Sequence, residues 1–367
     1  MLEVMCMPVH EYFADTYSEA RAKFRSAAAR ATANVTPYPL PNHHGPEDEI
    51  LTIDVAQLGN ANPNSLLILI SGTHGVEGFC GSGCQVGYFA DELYRALPSE
   101  SEAILIHALN PFGFAWLRRG NENNVDLNRN FQDFSNLPSS EKYDALHNWL
   151  VPKEWGGDEQ KRADAKLLEY IDQKTLKVAK AEITGGQYSK DTGLFYGGRA
   201  ASWSNGILRK ILADHVKPKV KRLAVLDFHT GLGEPGFGEP IYLGPTVEGF
   251  ELTKKWYGEE VRSTLHGSSV SATLTGSIAD ALPQLSPGFE VTYLGLEFGT
   301  VLEWEVLTAL RADAWLHAVP NRVTQMRAAI KRQIRDAFYV DTPWWKAAVY
   351  GRSADFAIRA SRALHQP

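Results

Sequence analysis

The chain has 367 residues, of which 44% are apolar and 22% charged, so it is long enough to bury a substantial core. Its 37 Lys and Arg against 43 Asp and Glu give a net charge of −6, which argues against nucleic acid or an anionic membrane as a partner. Three cysteines are too few for a disulfide-stapled secreted scaffold. No apolar run approaches the roughly 20 residues of a membrane-spanning helix, and the start lacks a secretory pattern. We therefore expect a cytoplasmic protein.

The chain begins with a predicted docking helix within residues 1–35, because apolar residues from Phe13 to Ala27 recur at intervals of four and three. Short β-branched runs then predict buried strands at Ile50–Ala56, Ser65–Ser71, Ala103–Ala108, Arg222–Asp227 and Phe289–Leu296. Helical patterns predict helices at Glu77–Leu97, Arg162–Ile183, Phe250–Leu265, Leu302–Ala318 and Asn321–Phe338. A helical tail within residues 340–367 starts with Thr342 as its cap and Pro343 at the first helical position.

Strands that alternate with long helices predict an α/β fold, with a mixed, mostly parallel, twisted sheet covered by helices on both faces. The absence of a 20–50-residue repeat or a low-complexity block predicts a single domain over residues 1–367. In such sheets ligands collect at the carboxyl ends of the strands. The polar residues that directly follow the predicted strands are therefore the first candidates for a functional site.

Two strand ends carry residues that could bind a metal. His74 and Glu77 follow the strand that begins at Ser65, three residues apart in a glycine-flanked turn. His229 follows the strand that begins at Arg222, and Asp227 beside it could orient a ligand. Zinc accepts imidazole and carboxylate ligands, and a catalytic zinc site needs three of them. Each motif alone is also compatible with an ordinary polar loop.

Two further candidates are a clamp and a base. Asn128 and Arg129 lie in the loop after the strand Ala103–Ala108, and an arginine fork with an adjacent amide can bind a carboxylate. A solvated loop that caps a helix explains the same residues equally well. Glu297 ends the last predicted strand after an apolar stretch, where burial would raise its pKa toward the range of a proton shuttle.

The phrases HGVE, NVDLNRNF, LDFHTG and LEFGT, in this order, resemble the zinc carboxypeptidase superfamily, which includes the succinylglutamate desuccinylase and aspartoacylase branch. Further phrases, SGTHGVEGF, ALNPFGFAWLRR, GLFYGG and HTGLG, are similar to a bacterial branch known as a domain of unknown function. The resemblance spans most of the chain. It implies a carboxypeptidase-like fold and one Zn²⁺ per chain, bound by His74, Glu77 and His229. The pair that holds a substrate carboxylate in that superfamily falls on Asn128 and Arg129.

The resemblance also assigns the remaining roles. An upstream arginine polarises the scissile carbonyl in that superfamily, and both Arg118 and Arg119 match it, with Arg119 favoured. The glutamate that activates a zinc-bound water matches Glu297. No tyrosine stands about twenty residues before Glu297, where the resemblance would place a substrate-capping tyrosine. Tyr196 or Tyr242 could cover the site instead, and each is equally compatible with an ordinary core or loop position.

These expectations describe a zinc metallohydrolase that cleaves an amide bond in a small carboxylate-bearing peptide or an N-acyl amino acid. The sequence does not decide between a metallocarboxypeptidase and an N-acyl amino acid amidohydrolase. The alternative is a non-catalytic relative of the same fold that binds a metal or a ligand. A serine hydrolase is disfavoured because no Gly-x-Ser-x-Gly motif is present. The helical tail could pack on the body or on a second subunit, so a homo-oligomer stays open.

Overall fold

A computed structural model of the chain describes residues 7–272, 274–285, 288–319, 322 and 324–365. These residues form a sheet of eight strands, which are β1 (Asn34–His44), β2 (Ile50–Gly59), β3 (Ser65–Ile70), β4 (Ser101–His107), β5 (Arg222–Pro235), β6 (Gly238–Tyr242), β7 (Arg262–Ser263) and β8 (Glu290–Gly299). Their order across the sheet is β1-β2-β4-β3-β5-β8-β6-β7.

The centre of the sheet is parallel and its flanks are largely antiparallel. Strand β3 pairs in parallel with β4 and β5, and β5 pairs in parallel with β8. On one side β2 and β1 are added antiparallel, and on the other side β6 runs antiparallel to β8 and parallel to β7. The sheet is therefore mixed and mostly parallel, which confirms the predicted fold class.

Helices pack on both faces of this sheet. They are α1 (Tyr17–Arg30), α2 (Gly78–Ala90), α3 (Pro111–Ala115), α4 (Glu141–Leu150), α5 (Asp158–Gln173), α6 (Leu176–Thr184), α7 (Trp203–His215), α8 (Val247–Tyr257), α9 (Ile278–Leu285), α10 (Glu303–His317), α11 (Arg327–Phe338) and α12 (Pro343–Leu364). No helix among the described residues is long and apolar enough to cross a membrane.

Alternating side chains of the central strands pack into two separate apolar clusters, one on each face of the sheet. In β3, Leu66, Ile68 and Ile70 contribute to a cluster with α7 and α9, whereas Leu67 and Leu69 contribute to a cluster with α1, α2 and α12. Every residue of β3 is buried, as expected for a parallel strand with both faces covered. A third apolar cluster joins α4, α5, α6, α10 and α11.

Several predicted boundaries differ from the structure. The predicted helix from Arg162 to Ile183 is two helices, α5 and α6, because Thr175 starts a new one by accepting a hydrogen bond from the Val178 backbone. Helix α8 ends at Tyr257, well before the predicted end, because the following Gly258 has a φ of +99°. The predicted helix start at Asn321 lies outside the described residues.

The two chain ends pack on the body near each other. Helix α1 contacts α2, and α12 contacts both α2 and α8. Thr342 precedes α12 and Pro343 occupies its first turn, as predicted, but the Thr342 side chain forms no capping hydrogen bond with the described residues. Trp345 is fully buried. The helical tail therefore packs on the body of its own chain.

Candidate metal centre

The ends of three neighbouring strands bring the candidate ligands together. His74 and Glu77 lie in the turn that links β3 to α2, and Glu77 ends a short 3-10 helix there. His229 lies within β5, which pairs in parallel with β3. In the register between β5 and β8, His229 stands directly opposite Glu297. The topology therefore places His74, Glu77, His229 and Glu297 at one edge of the sheet.

His74, Glu77 and His229 form a compact group of potential metal ligands. One donor atom from each lies within 4.8 Å of the other two, and all three residues are buried. The Nδ1 atom of His74 lies 2.9 Å from Glu77 Oε1, and the Nδ1 atom of His229 lies 3.0 Å from Glu77 Oε2. Two imidazoles and a carboxylate are a donor set that zinc accepts. These residues therefore fit a metal ion.

Each imidazole contacts a different aspartate through Nε2, the ring nitrogen that does not face Glu77. His74 Nε2 lies 3.1 Å from Asp126 Oδ1, and His229 Nε2 lies 2.9 Å from Asp227 Oδ2. The Asp227 carboxylate also accepts a 2.8 Å hydrogen bond from the Thr73 hydroxyl. Metal-ligating histidines commonly use their second nitrogen in this way, which fixes the ring orientation. Both Nδ1 atoms thus face the same carboxylate, while both Nε2 atoms are already engaged.

The buried charges strongly bias protonation in this cluster. Burial by itself would raise the pKa of Glu77, but the adjacent His74 and His229 leave it well below its usual range. Burial would lower the pKa of His229, yet the Asp227 and Glu77 carboxylates raise it well above its usual range. Because a metal binds the neutral imidazole, binding here is coupled to release of a proton.

Arg119 packs directly on the ligand group. Its Nε donates to Asp126 Oδ2 at 2.9 Å and its Nη1 donates to Glu77 Oε1 at 3.1 Å. Its Nη2 lies 2.8 Å from His74 Nε2. Arg119 therefore contacts two candidate ligands, His74 and Glu77, and also Asp126, the aspartate that contacts His74.

Arg118 points away from the ligand group, although it is adjacent in sequence. Its Nε donates to Asp313 Oδ2 at 3.1 Å and its Nη2 donates to Asn124 Oδ1 at 2.8 Å. It does not line the cavity that contains His74. Of the two arginines left open by the sequence, the structure brings only Arg119 to the candidate centre.

Glu297 faces the same cavity and has an unusual protonation preference. Its Oε1 accepts a 3.2 Å hydrogen bond from the Leu232 backbone. Burial, reinforced by the Glu77 carboxylate, raises the pKa of Glu297 to about 7. A carboxylate with this pKa can both accept and donate a proton near neutral pH.

Arg129 is a buried cation that makes no direct salt bridge within the described part of the chain. It is 2% exposed. Its Nη1 and Nη2 donate to the backbone carbonyls of Asn128 and Thr184, and its Nε has no hydrogen-bond partner there. Burial lowers the pKa of Arg129. The neighbouring Asn128 places its Nδ2 3.5 Å from His229 Nε2. This pair can therefore receive an anion beside the ligand group.

A cavity of about 360 Å³ is lined by the three candidate ligands and by Arg119, Asn128, Arg129 and Glu297. The other walls are mostly apolar and come from α5, α6, α10 and the third core cluster. The apolar lining residues are Leu168, Ile171, Leu176, Ile183, Phe195, Leu232, Ile241, Leu243, Ala272, Leu274, Trp304, Val306, Leu307, Leu310 and Phe338. The volume and the mixture of a few polar groups with apolar walls are typical of a small-molecule site.

Tyr196 is not among the lining residues, and its neighbour Phe195 takes that place. Phe195 has a φ of +53°, and its ring centre lies 5.3 Å from the Arg119 guanidinium carbon and 5.8 Å from that of Arg129. The backbone carbonyl of Tyr196 instead accepts a 2.7 Å hydrogen bond from the backbone of Asp126. The structure therefore does not place Tyr196 where it could cover a substrate.

Sequence reasoning missed Asp126 and the apolar walls. Asp126 stands two residues before Asn128 in the same motif, so its position in NVDLNRNF was the available signal. No comparable signal marked Phe195 or the walls, because helices α5, α6 and α10 meet there only through tertiary packing.

The family model described as "Protein of unknown function (DUF2817)" matches residues 13–352 of the chain. Because this match covers most of the chain, the chain belongs to that family. The expected similarity to a bacterial branch known as a domain of unknown function is thereby confirmed. No curated protein matches the chain in sequence.

The chain is also similar to solved structures of distant proteins. Carboxypeptidase A from Helicoverpa armigera is 14% identical over 93% of this chain and 73% of its own, with a TM-score of 0.45. Bovine thrombin-activatable fibrinolysis inhibitor in complex with tick carboxypeptidase inhibitor is 12% identical over 97% and 98%, with a TM-score of 0.47. A metallo-carboxypeptidase from Pseudomonas aeruginosa is 16% identical over 91% and 69%, with a TM-score of 0.41. These likenesses are distant.

Proposed function

We propose that the protein is a zinc-dependent hydrolase that cleaves an amide bond in a small substrate with a free carboxylate, either a peptide or an N-acyl amino acid. The observation that carries this proposal is the convergence of His74, Glu77 and His229 in the cavity that also holds Glu297. In the proposed enzyme these three residues hold the metal, and Asp126 keeps the ring of His74 in place.

When bound, zinc supplies Lewis-acid chemistry, because it lowers the pKa of water and polarises a carbonyl oxygen. Glu297 is the proposed proton carrier. With a pKa of about 7 it accepts a proton from the attacking water at its carboxylate and passes it to the departing amine nitrogen. The hydrogen bond from the Leu232 backbone holds that carboxylate in place.

Arg119 and Arg129 have separate proposed roles. Arg119 contacts the ligand group, so it is the cation best placed to stabilise negative charge that develops on the carbonyl oxygen. Arg129 has an unused buried donor and no ion-pair partner among the described residues, so with Asn128 it would bind the substrate carboxylate. Arg118 has no proposed part in this chemistry.

The test combines metal analysis with turnover. We expect about one zinc per wild-type chain, and none in the His74→Ala variant. Glu297→Gln should retain zinc and lose on the order of 100-fold to 10,000-fold in turnover, the usual contribution of a general base. A chain that takes up no zinc overturns the proposal. Zinc without hydrolysis of any amide in a panel of peptides and N-acyl amino acids would instead support the non-catalytic alternative.

A further inference from the structure

The cavity has two sides that the proposed reaction would use differently. Arg129 defines the side that holds the carboxylate, and there its Nη2 contacts the Thr184 carbonyl of α6. The scissile carbonyl must lie near the ligand group and Glu297. In an N-acyl amino acid, the acyl part therefore extends past Glu297, away from Arg129.

The cavity walls around these polar groups are mostly apolar. The segment after His229 runs along them, and a Cβ atom at Gly231 would lie 2.8 Å from Phe338 and 3.6 Å from Val306. Helix α10 continues the wall with Trp304, Leu307 and Leu310, which recur at intervals of three and share one helix face.

Two charged cavity residues outside the candidate metal centre have partners among the described residues. Lys180 and Glu303 line the cavity and form an ion pair at 2.9 Å. The Lys180 ammonium also donates to the Val270 carbonyl at 2.6 Å. Both charges are thus satisfied by other described residues. The wall favours an apolar group.

The apolar surface also continues to the mouth of the cavity. Leu168 and Leu176, on α5 and α6, line it while 52% and 64% of their surfaces remain exposed. Large apolar side chains that rim an apolar cavity are typical of a binding site for an apolar ligand. An extended chain that leaves the cavity would keep contact with them.

We propose that the substrate is an N-acyl amino acid whose acyl group is a long apolar chain, a substrate class that rests on the proposed function. Hydrolysis adds one water across the amide: the C–N bond breaks and a C–O bond forms at the carbonyl carbon. The acyl part leaves as a fatty acid, and the nitrogen of the amino acid takes the proton. Arg129 then binds the carboxylate of the amino acid, and the α10 wall binds the acyl chain.

The first test is the dependence of kcat/KM on acyl length, measured with the zinc-loaded protein. The substrates are N-acetyl-, N-octanoyl- and N-dodecanoylalanine below their aggregation concentrations, with alanyl dipeptides as a comparison. Each buried methylene contributes about fourfold, so octanoyl should exceed acetyl by at least about tenfold even if only two of its six additional methylenes are buried. Values that stay flat or fall with length overturn this inference while leaving the proposed function intact. If no amide is cleaved, both fall.

The second test measures binding alone. Calorimetry with metal-free protein should show that Leu307→Gln weakens N-dodecanoylalanine binding by about tenfold and leaves N-acetylalanine binding unchanged. Leu265→Gln is the matched control, because Leu265 is exposed and does not line the cavity. Leu168→Gln, a change at the exposed rim that preserves the fold, should weaken the long-chain ligand less but selectively. Equal effects of all three variants on both ligands would contradict the proposal.

Discussion

Arg118 and Arg119 are adjacent, yet their side chains enter two different buried clusters. Arg119 joins the candidate metal centre and lines a cavity of about 360 Å³. Arg118 joins Asp313 and Lys331, which link α10 to α11, beside a pocket of only about 30 Å³. That smaller volume is about the space of a single water molecule in the liquid. Only one of the two clusters has room for a ligand.

The clusters also differ in how their charges are balanced. Burial would raise the pKa of Asp313, but Lys331 and Arg118 leave it well below its usual range, so each charge in that cluster has a partner. In the cavity, by contrast, the pKa of Glu297 is raised to about 7, and Arg129 has no ion-pair partner among the described residues. Buried groups beside a cavity that have a shifted pKa or no ion-pair partner are typical of functional sites. Buried clusters in which every charge has a partner are typical of structural ion-pair networks.

The largest expected effect is on stability, through the cluster of Arg118, Asp313 and Lys331. Asp313→Ala leaves Arg118 and Lys331 as buried unpaired cations, so it should lower the free energy of unfolding by about 3–5 kcal/mol. Chemical denaturation checks this. Asp336→Ala on α11 is the control, because Asp336 is 65% exposed and its loss should change stability by less than about 0.5 kcal/mol. A stable Asp313→Ala variant with abolished turnover would instead place this cluster in the catalytic machinery.

A somewhat smaller effect is expected from the arginine on the cavity side. Arg119→Ala should lower kcat by about 100-fold to 1,000-fold with little change in KM, because its proposed interaction forms with the transition state. Steady-state kinetics on a cleaved amide checks this, with the exposed Arg95→Ala as the matched control. Unchanged kcat would remove Arg119 from the mechanism.

The sequence predicted the central strands well, because the short, continuous apolar run of β3 is typical of a strand with both faces buried. It missed β1, whose segment contains Pro37, Pro39 and Pro41. Proline is tolerated in a strand at the edge of a sheet, which is where β1 lies. It also missed β6, which is too short and too polar for periodicity to mark. Both strands form by pairing with a neighbouring strand, β1 with β2 and β6 with β8, and the local sequence pattern does not show this pairing.

Part of the candidate site could likewise be predicted from the sequence, and part of it could not. His74, Glu77 and His229 follow or occupy predicted strands, which made them candidates, and the resemblance implied that they share one metal. The structure brings them together. The direction of Arg118 depends on Asp313, nearly 200 residues later, and no local pattern carries that pairing. The apolar wall of α10 depends likewise on packing between distant helices. Sequence therefore indicated the chemistry, and tertiary contacts define the space around it.

The smallest expected effect concerns the pH dependence of stability in metal-free protein. The pKa of Glu297 is about 7 when folded, against an ordinary value of 4.5, so the folded chain holds a proton there that the unfolded chain releases. Stability should therefore fall as pH rises from about 4.5 through 7. Glu297→Gln mimics the protonated form, so the variant should gain up to about 3 kcal/mol over wild type between pH 5 and pH 8. Denaturation at both pH values measures this, with the exposed Glu248→Gln as a control that should show no such gain. If the difference in unfolding free energy between Glu297→Gln and wild type does not change with pH, Glu297 ionises at its ordinary pKa. A raised pKa of Glu297 would then no longer distinguish the cavity from the cluster of Arg118, Asp313 and Lys331.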